Sequence, residues 1–144
     1  MKDALTIDAP DRVIPGEPFD GTVGWRLAHL PARAVLRLAW RTAGDGIPDQ
    51  HVVEEMDVAG LPAAAPAESI ADGPYRGSHA VDALAPGPLR ATDVRRFRLR
   101  APPYPPSFRG HLIRLEWRLE LAVDAATVSR ALVISPAPGP LELP

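Results

Sequence analysis

The sequence predicts an all-β protein built as an antiparallel β-sandwich. Residues 111–124 read HLIRLEWRLELAVD, with large apolar side chains at nearly every odd position and mostly charged ones at the even positions. A period of two sends successive side chains to opposite faces of a strand. The apolar face needs a second layer to cover it, which makes a sandwich the expected architecture. The 18 prolines also argue against long helices, because an interior proline removes a hydrogen-bond donor and clashes with the preceding turn.

Other segments repeat this alternation between turns rich in Pro and Gly. Residues 4–8, 20–30, 34–42 and 93–101 are predicted strands, and Trp25, Trp40 and Trp117 are predicted to pack in the core. Residues 50–58 should turn Val52 and Met56 inward, and residues 127–135 should form the last strand. Several predicted strands end at a proline, since proline has no N–H to donate to a neighbouring strand. The prolines at these strand ends are Pro10, Pro31, Pro102 and Pro136.

Residues 59–92 are rich in Ala, Pro and Gly, and their hydrophobic pattern is broken. Roughly 35 residues without regular structure would be unusual inside a compact domain, so we expect short edge strands here. Residues 78–84 are the best candidate for such a strand, and residues 68–72 suit a single helical turn.

The length of 144 residues predicts one domain over residues 1–136, followed by a loosely ordered, Pro-rich tail at 137–144. The absence of cysteine excludes disulfides and thiolate metal sites and fits a cytoplasmic protein. The N-terminal residues hold no apolar run that suits a signal peptide, and we expect no membrane span. The net charge of −2 disfavours nucleic-acid binding.

The residues that carry catalysis are poorly represented. His29, His51, His79 and His111 form no His-x-His or His-Glu-x-x-His motif. His51 and Glu55 share a strand face, but four residues along a strand span about 13 Å, too far for one metal ion. No Gly-x-Ser-x-Gly elbow is present, and Ser107 is better suited to capping backbone groups in its turn. We therefore expect no enzyme activity, no metal and no cofactor.

Arginines dominate the outward positions of two predicted strands. Arg96, Arg98 and Arg100 share one face, and Arg114 and Arg118 share a face of another strand. If these strands pair, the arginines line one surface that could hold a phosphate or an acidic peptide. Glutamates interleave with Arg114 and Arg118, so cross-strand neutralisation of a solvated face is the interpretation we favour.

Three stretches carry a further signal: ALTIDAPDRVIPGEPFDGTV, LRLAWRTAGDG and FRLRAPPYPPSFRGHLIRLEWRLELAVD. Together they resemble the small bacterial branch of the arrestin-like β-sandwich family. The third is the most specific: Phe97 lies in the first strand, a Pro-rich step and a Ser-Phe-Arg-Gly turn follow, and Trp117 lies at the centre of the long strand. The resemblance covers most of the chain except residues 59–92.

This resemblance implies an immunoglobulin-like sandwich that serves as a non-enzymatic scaffold or protein-interaction module, as a subunit of a larger bacterial complex. The chain has length for one sandwich, whereas eukaryotic arrestins join two, and it lacks their paired-lysine phosphate sensor. A small-ligand or carbohydrate-binding sandwich and a β-sandwich metalloenzyme remain as alternatives.

Sandwiches expose sheet edges that invite another strand. We expect another protein, or a second copy of this chain, to dock on the edge formed within residues 59–92, with the arginines of 93–100 as an electrostatic rim. The candidate binding residues are His79, Val81, Arg96, Arg98, Arg100, Arg114 and Arg118.

Overall fold

The computed structural model describes residues 4–64 and 86–143. This part of the chain is mostly β-strand, and its sheets pack in a sandwich-like arrangement around a shared apolar core, as predicted. The strands are β1 (Ala4–Asp8), β2 (Arg12–Val13), β3 (Pro18–Arg26), β4 (Ala34–Gly44), β5 (Gln50–Asp57), β6 (Thr92–Arg100), β7 (Phe108–Arg109), β8 (Ile113–Val123), β9 (Ala126–Ile134) and β10 (Leu141–Glu142). A single 3-10 turn, Val58–Gly60, follows β5.

Two sheets form the layers. The small sheet has the order β1-β3-β6 and is antiparallel throughout. The large sheet has β8 at its centre, with β4 on one side and β7 and β9 on the other. Strand β5 pairs with β4 on the side away from β8. The short strand β10 runs parallel to β7, and the short strand β2 runs parallel to β9.

Strand β8 has the inward face that its alternation predicts. Its odd-numbered residues from Leu115 to Val123 are all buried, and Trp117 is only 1% exposed. Trp117 lies opposite Trp40 of β4, and its Nε1 donates to the carbonyl of Pro105 at 2.9 Å. Trp25 is buried as well, whereas Trp40 is half-buried and stacks on His51. A buried indole needs a hydrogen-bond partner, and the Pro-rich connection supplies it for Trp117.

Strand β5 departs from its predicted faces. Its pairing with β4 shifts between Leu38 and Ala39, so that Glu54 lies opposite Leu38 and Val52 lies opposite Ala39. This bulge inserts Val53 and reverses the phase of the strand, because a slip of one residue moves side chains to the other face. Val52 is 44% exposed, so its predicted inward orientation is wrong. Met56 is half-buried against the core.

After β5 the chain crosses from the large sheet to the small one. Residues 62–64 lie along the outer edge of β6, where the Ala64 N–H donates to the Val94 carbonyl at 2.8 Å. The Arg96 N–H donates to the Pro62 carbonyl at 2.9 Å. The predicted strand at 78–84, the predicted turn at 68–72, and the candidate residues His79 and Val81 lie outside the described residues.

The end of the chain carries a strand that the sequence pattern does not predict. Within the tail expected to be loosely ordered, β10 runs parallel to β7. The Leu141 N–H donates to Ser107 at 3.0 Å, and the Leu143 N–H donates to Arg109 at 2.9 Å, both to backbone carbonyls. Across residues 4–64 and 86–143, no helix has the length and apolar character needed to cross a membrane.

Candidate functional site on strand β6

Strand β6 has two chemically different faces. Its inward residues include Phe97 and Leu99, which join the core, while Arg96, Arg98 and Arg100 are exposed on the other face. The pleat of the strand produces this alternation, so the predicted orientations of these five residues are confirmed. The buried face anchors the neighbouring chain segments, and the exposed face presents the arginines.

A buried ion pair occupies the inward face at the start of β6. Arg95 is 1% exposed and Asp93 is 2% exposed. The Arg95 Nε lies 3.1 Å from Asp93 Oδ1, and its Nη2 lies 3.0 Å from Asp93 Oδ2. The sequence contains a signal for this pair, since Asp93 and Arg95 are in phase with the inward Phe97 and Leu99. The alternation alone does not predict that these two inward charges bind each other.

The Arg95 guanidinium also donates hydrogen bonds to backbone carbonyls of two chain segments, one that follows β5 and one that precedes β6. Its Nη1 donates to the carbonyls of Ala59 and Leu61 at 3.3 and 3.1 Å. Its Nη2 donates to the carbonyls of Gly87 and Pro88, each at 2.8 Å. Arg95 therefore holds the segment after β5 and the segment before β6 against the same strand, which positions residues 62–64 on its edge.

Asp93 is held in its charged form. Burial by itself would raise the pKa of the Asp93 carboxyl, because a low-dielectric interior disfavours charge. Hydrogen bonds from the Arg95 side chain, the Arg90 backbone N–H and the Arg90 side chain outweigh this effect and lower the pKa below its ordinary value. The ion pair is consequently intact at neutral pH.

The outward face of β6 borders a concavity of about 760 Å³. Its walls include Arg96 and Arg98 from β6, Asp20 and Thr22 from β3, and the neighbouring residue Pro62. The Arg98 Nη1 lies 3.2 Å from Asp20 Oδ1, and both side chains are about two-thirds exposed. The Arg96 side chain has no ion pair or hydrogen bond with the described residues. Among the described residues, the concavity thus presents one guanidinium that is paired, Arg98, and one that is not, Arg96.

The remaining predicted arginines lie in the other sheet. Arg114 and Arg118 belong to β8, which pairs with β4, β7 and β9, whereas β6 pairs with β3. The single arginine surface that would follow from pairing of β6 with β8 does not form. Which sheet a strand joins depends on contacts distant in sequence, and alternation within a strand carries no information about it.

On the large sheet, the outward arginines are neutralised as expected. Arg37 is the centre of this network, with its Nε 2.7 Å from Glu55 and its Nη1 3.3 Å from Glu120. The hydrogen bond that Arg37 Nε donates to Glu55 raises the pKa of Arg37 above its ordinary value, against the lowering effect of burial. The other pairs are Arg41 and Arg114 with Glu116, and Arg118 with Glu120, at 3.4 to 3.9 Å.

The small sheet carries an excess of positive charge on its outer face. Four arginines share this face with only two carboxylates among the described residues: Arg26, Arg96, Arg98 and Arg100 against Asp8 and Asp20. The whole chain has a net charge of −2, so this face is a local positive surface on an acidic protein. Such a surface attracts acidic partners.

Next to this surface, half of the outer edge of β6 is not covered by any residue in 4–64 or 86–143. Along a strand, backbone groups point alternately to the two neighbours. The even-numbered residues of β6 point away from β3, and Val94 and Arg96 bind the 62–64 segment. The N–H and C=O groups of Arg98 and Arg100 also point to this side, and they have no partner within residues 4–64 and 86–143.

The described residues contain no cluster of side chains that could bind a metal ion. No three His, Asp or Glu side chains in this part of the chain lie close enough to share a metal ion. The Ser107 hydroxyl accepts a hydrogen bond from the Ile134 N–H at 3.0 Å, so it caps backbone as predicted.

Comparison with models of known protein families finds no match, and no curated protein matches the sequence.

Proposed function

We propose that this protein is a non-enzymatic protein-interaction module that binds an extended, acidic segment of its partner along β6. The observation that carries the proposal is the edge at Arg98 and Arg100, which no described residue covers and which lies directly beside an arginine-lined concavity. An extended peptide that adds to a sheet edge gains affinity from main-chain hydrogen bonds and specificity from its alternate side chains.

The proposed geometry continues the arrangement already present. Residues 62–64 occupy the edge of β6 beside Val94–Arg96, and the partner segment pairs with the next stretch at Arg98 and Arg100. Alternate side chains of an added strand then lie on the outer face of the small sheet, near Arg96 and Arg98. Leu61 and Pro62 line the same concavity as Arg96 and Arg98 and supply an apolar part of its wall.

Charge selects the partner. No described residue pairs with the Arg96 guanidinium, which can take a carboxylate in the bidentate arrangement that its planar donors favour. The Arg98–Asp20 pair is exposed, and such pairs contribute only about 0–1 kcal/mol, so Arg98 can exchange Asp20 for a partner carboxylate at little cost. At the centre of the large sheet, Arg37 and Arg118 differ from this arrangement, because both are paired with glutamates and are much less exposed than Arg98.

The resemblance to arrestin-like domains supports the same conclusion. Within this proposal the chain is an immunoglobulin-like sandwich of that type, acting as a cytoplasmic subunit or scaffold of a larger bacterial complex. The sandwich-like packing of the two sheets around one apolar core is the feature that supports this part of the proposal.

A peptide that alternates Glu and Val over eight residues is the direct probe, with alternating Lys and Val as its charge control. We expect the Glu peptide to bind, as measured by isothermal titration calorimetry, and to protect the amides of Arg98 and Arg100 from hydrogen exchange. Protection confined to other strands, or equal binding of the Lys peptide, would overturn the proposal.

A pair of substitutions at one position separates backbone pairing from charge. Arg98→Pro removes both the edge N–H and the charge, whereas Arg98→Ala removes only the charge. Proline is tolerated where the N–H faces away from the sheet, so both variants should fold. We expect Arg98→Pro to weaken peptide binding more than Arg98→Ala at every salt concentration. Equal effects would show that the edge does not take part.

A further inference from the structure

Exposed apolar side chains gather in two loops at one end of the large sheet. Ile47, at the tip of the β4–β5 hairpin, is 95% exposed. Leu112 and Ile113, at the start of β8, are 66% and 41% exposed. The Asp45 N–H donates to the Leu112 carbonyl at 2.8 Å, so a backbone hydrogen bond holds the two loops side by side. Contiguous exposed apolar residues mark an interaction site more often than scattered ones do.

The two loops approach each other closely at a glycine. Gly44 has a φ of +124°, in the region that favours glycine, and a Cβ there would collide with the carbonyl oxygen of Leu112. This packing holds the hairpin against the turn before β8. A concavity of about 490 Å³ lies between them, with Gly44, Leu112, Arg109 and Arg114 among its walls. The surface therefore has a protruding apolar tip beside a hollow.

Both signs of charge surround this tip. Asp45 and Asp49 are exposed on the hairpin, and Arg109 and Arg114 lie across the concavity. The Arg109 Nη1 lies 3.5 Å from Glu142, with both side chains more than 60% exposed, so this pair is weak and exchangeable. A surface that carries its own tip, its own hollow and both charges is complementary to itself.

We infer that this end of the sandwich binds the same end of a second copy of the chain about a two-fold axis. In such an isologous interface the same patch serves both subunits. Ile47 of each copy enters the concavity of the other, and Asp45 of each copy faces Arg109 of the other. An anionic lipid surface fits less well, because Asp45 and Asp49 flank Ile47 and would be repelled by its headgroups.

This interface goes beyond the proposed function, since it uses none of the β6 residues that bind the acidic segment. A dimer carries two β6 sites in one particle, and linked sites raise the apparent affinity for a partner that repeats its binding segment. Loss of the dimer would leave the binding of a single acidic peptide unchanged, so the two proposals fail independently.

Sedimentation velocity on the full chain over a concentration series tests the inference. We expect a reversible dimer with a Kd on the order of micromolar, as for small interfaces. Ile47→Asp should raise the Kd at least about tenfold, because a charge would enter an apolar contact twice per dimer. Leu30→Asp is the matched control: Leu30 is 69% exposed in the loop between β3 and β4, and its substitution should leave the Kd unchanged.

Charge exchange identifies the contact itself. Asp45→Arg and Arg109→Asp should each dimerise more weakly alone, because like charges then meet at both contacts. Mixed in equal amounts they should form a heterodimer, since both contacts become oppositely charged. The inference is overturned if the wild type stays monomeric at its highest soluble concentration, if mixing restores nothing, or if Leu30→Asp dissociates the dimer equally. Monomers that bind anionic vesicles through Ile47 would also overturn it and assign the surface to lipid.

Discussion

Arg95 and Asp93 form a buried ion pair between two residues of one strand, with 3.0 Å from Nη2 to Oδ2. Arg95 also donates to four backbone carbonyls, two in the segment that follows β5 and two in the segment that precedes β6. A buried charge is tolerated only when it is paired and hydrogen-bonded, and here every donor group of the guanidinium has an acceptor. The pair thus connects the interior of the sandwich to the edge that we propose as the binding site.

Arg95→Ala should destabilise the fold by about 3–5 kcal/mol, because it leaves Asp93 buried without its main partner and removes donors from four carbonyls. Urea unfolding followed by tryptophan fluorescence measures this loss. Arg96→Ala is the control, since the adjacent side chain is exposed and its removal should change stability by less than about 0.5 kcal/mol. Similar losses in the two variants would contradict the anchoring role of Arg95.

The same pair predicts how stability depends on pH. Because the pKa of Asp93 is lowered in the folded state, its contribution is fully present above the unfolded pKa of about 4 and is lost as pH falls through the lower folded pKa. Asp93→Asn should therefore be less stable than the wild type at pH 7, and the difference should shrink towards acidic pH. Thermal unfolding across this range measures it.

The exposed Asp20 serves as the control for this pH experiment. Asp20→Asn removes a carboxylate from the solvent-exposed pair with Arg98, so we expect little change in stability at either end of the pH range. A difference between Asp93→Asn and wild type that is constant with pH would show that the loss at Asp93 comes from packing rather than charge.

Trp117→Ala should cost about 3–5 kcal/mol, the usual range for deleting a large buried aromatic side chain. The indole is 1% exposed and also loses its hydrogen bond to Pro105. Tyr104→Ala in the adjoining loop is the comparison, since Tyr104 is largely exposed. Calorimetric melting temperatures report both effects, and a Trp117→Ala variant that melts like Tyr104→Ala would refute the central position of Trp117.

Gly21 is required for the packing of the small sheet. A Cβ at this position would collide with the carbonyl oxygen of Asp8 and with the ring of Phe97, which lies directly opposite on β6. Gly21→Ala should destabilise the protein by about 1–3 kcal/mol, since backbone cannot move aside cheaply. Gly60→Ala, where the added Cβ meets open space, should fold with nearly unchanged stability in the same denaturation assay.

Arg96→Glu combined with Arg98→Glu should slow association with the acidic Glu/Val peptide and reverse its salt dependence. Exposed charges mainly set the association rate, and attraction across this face would become repulsion. Arg114→Glu combined with Arg118→Glu makes the same charge change on the other sheet, and we expect it to leave the association rate much closer to wild type. Stopped-flow kinetics at several salt concentrations compares the two, and equal slowing would indicate a general charge effect.

The local pattern of the sequence determined the faces of the long strands. Alternation in β8 placed Trp117 inside, and alternation in β6 placed Arg96, Arg98 and Arg100 outside. Both follow from the pleat, which acts between neighbouring residues and needs no knowledge of the rest of the chain. The ion pairs of the glutamates on β8 with outward arginines were predictable on the same grounds.

The tertiary structure alone decided which strands share a sheet. It placed β6 beside β3 and β8 beside β4, which separates Arg96 and Arg98 from Arg114 and Arg118. It also introduced the bulge that exposes Val52, and it brought carbonyls from residues 59–61 to Arg95, more than 30 positions along the chain. These features depend on which distant backbones meet and satisfy each other's hydrogen bonds, and a period-two pattern within one strand is compatible with many such pairings.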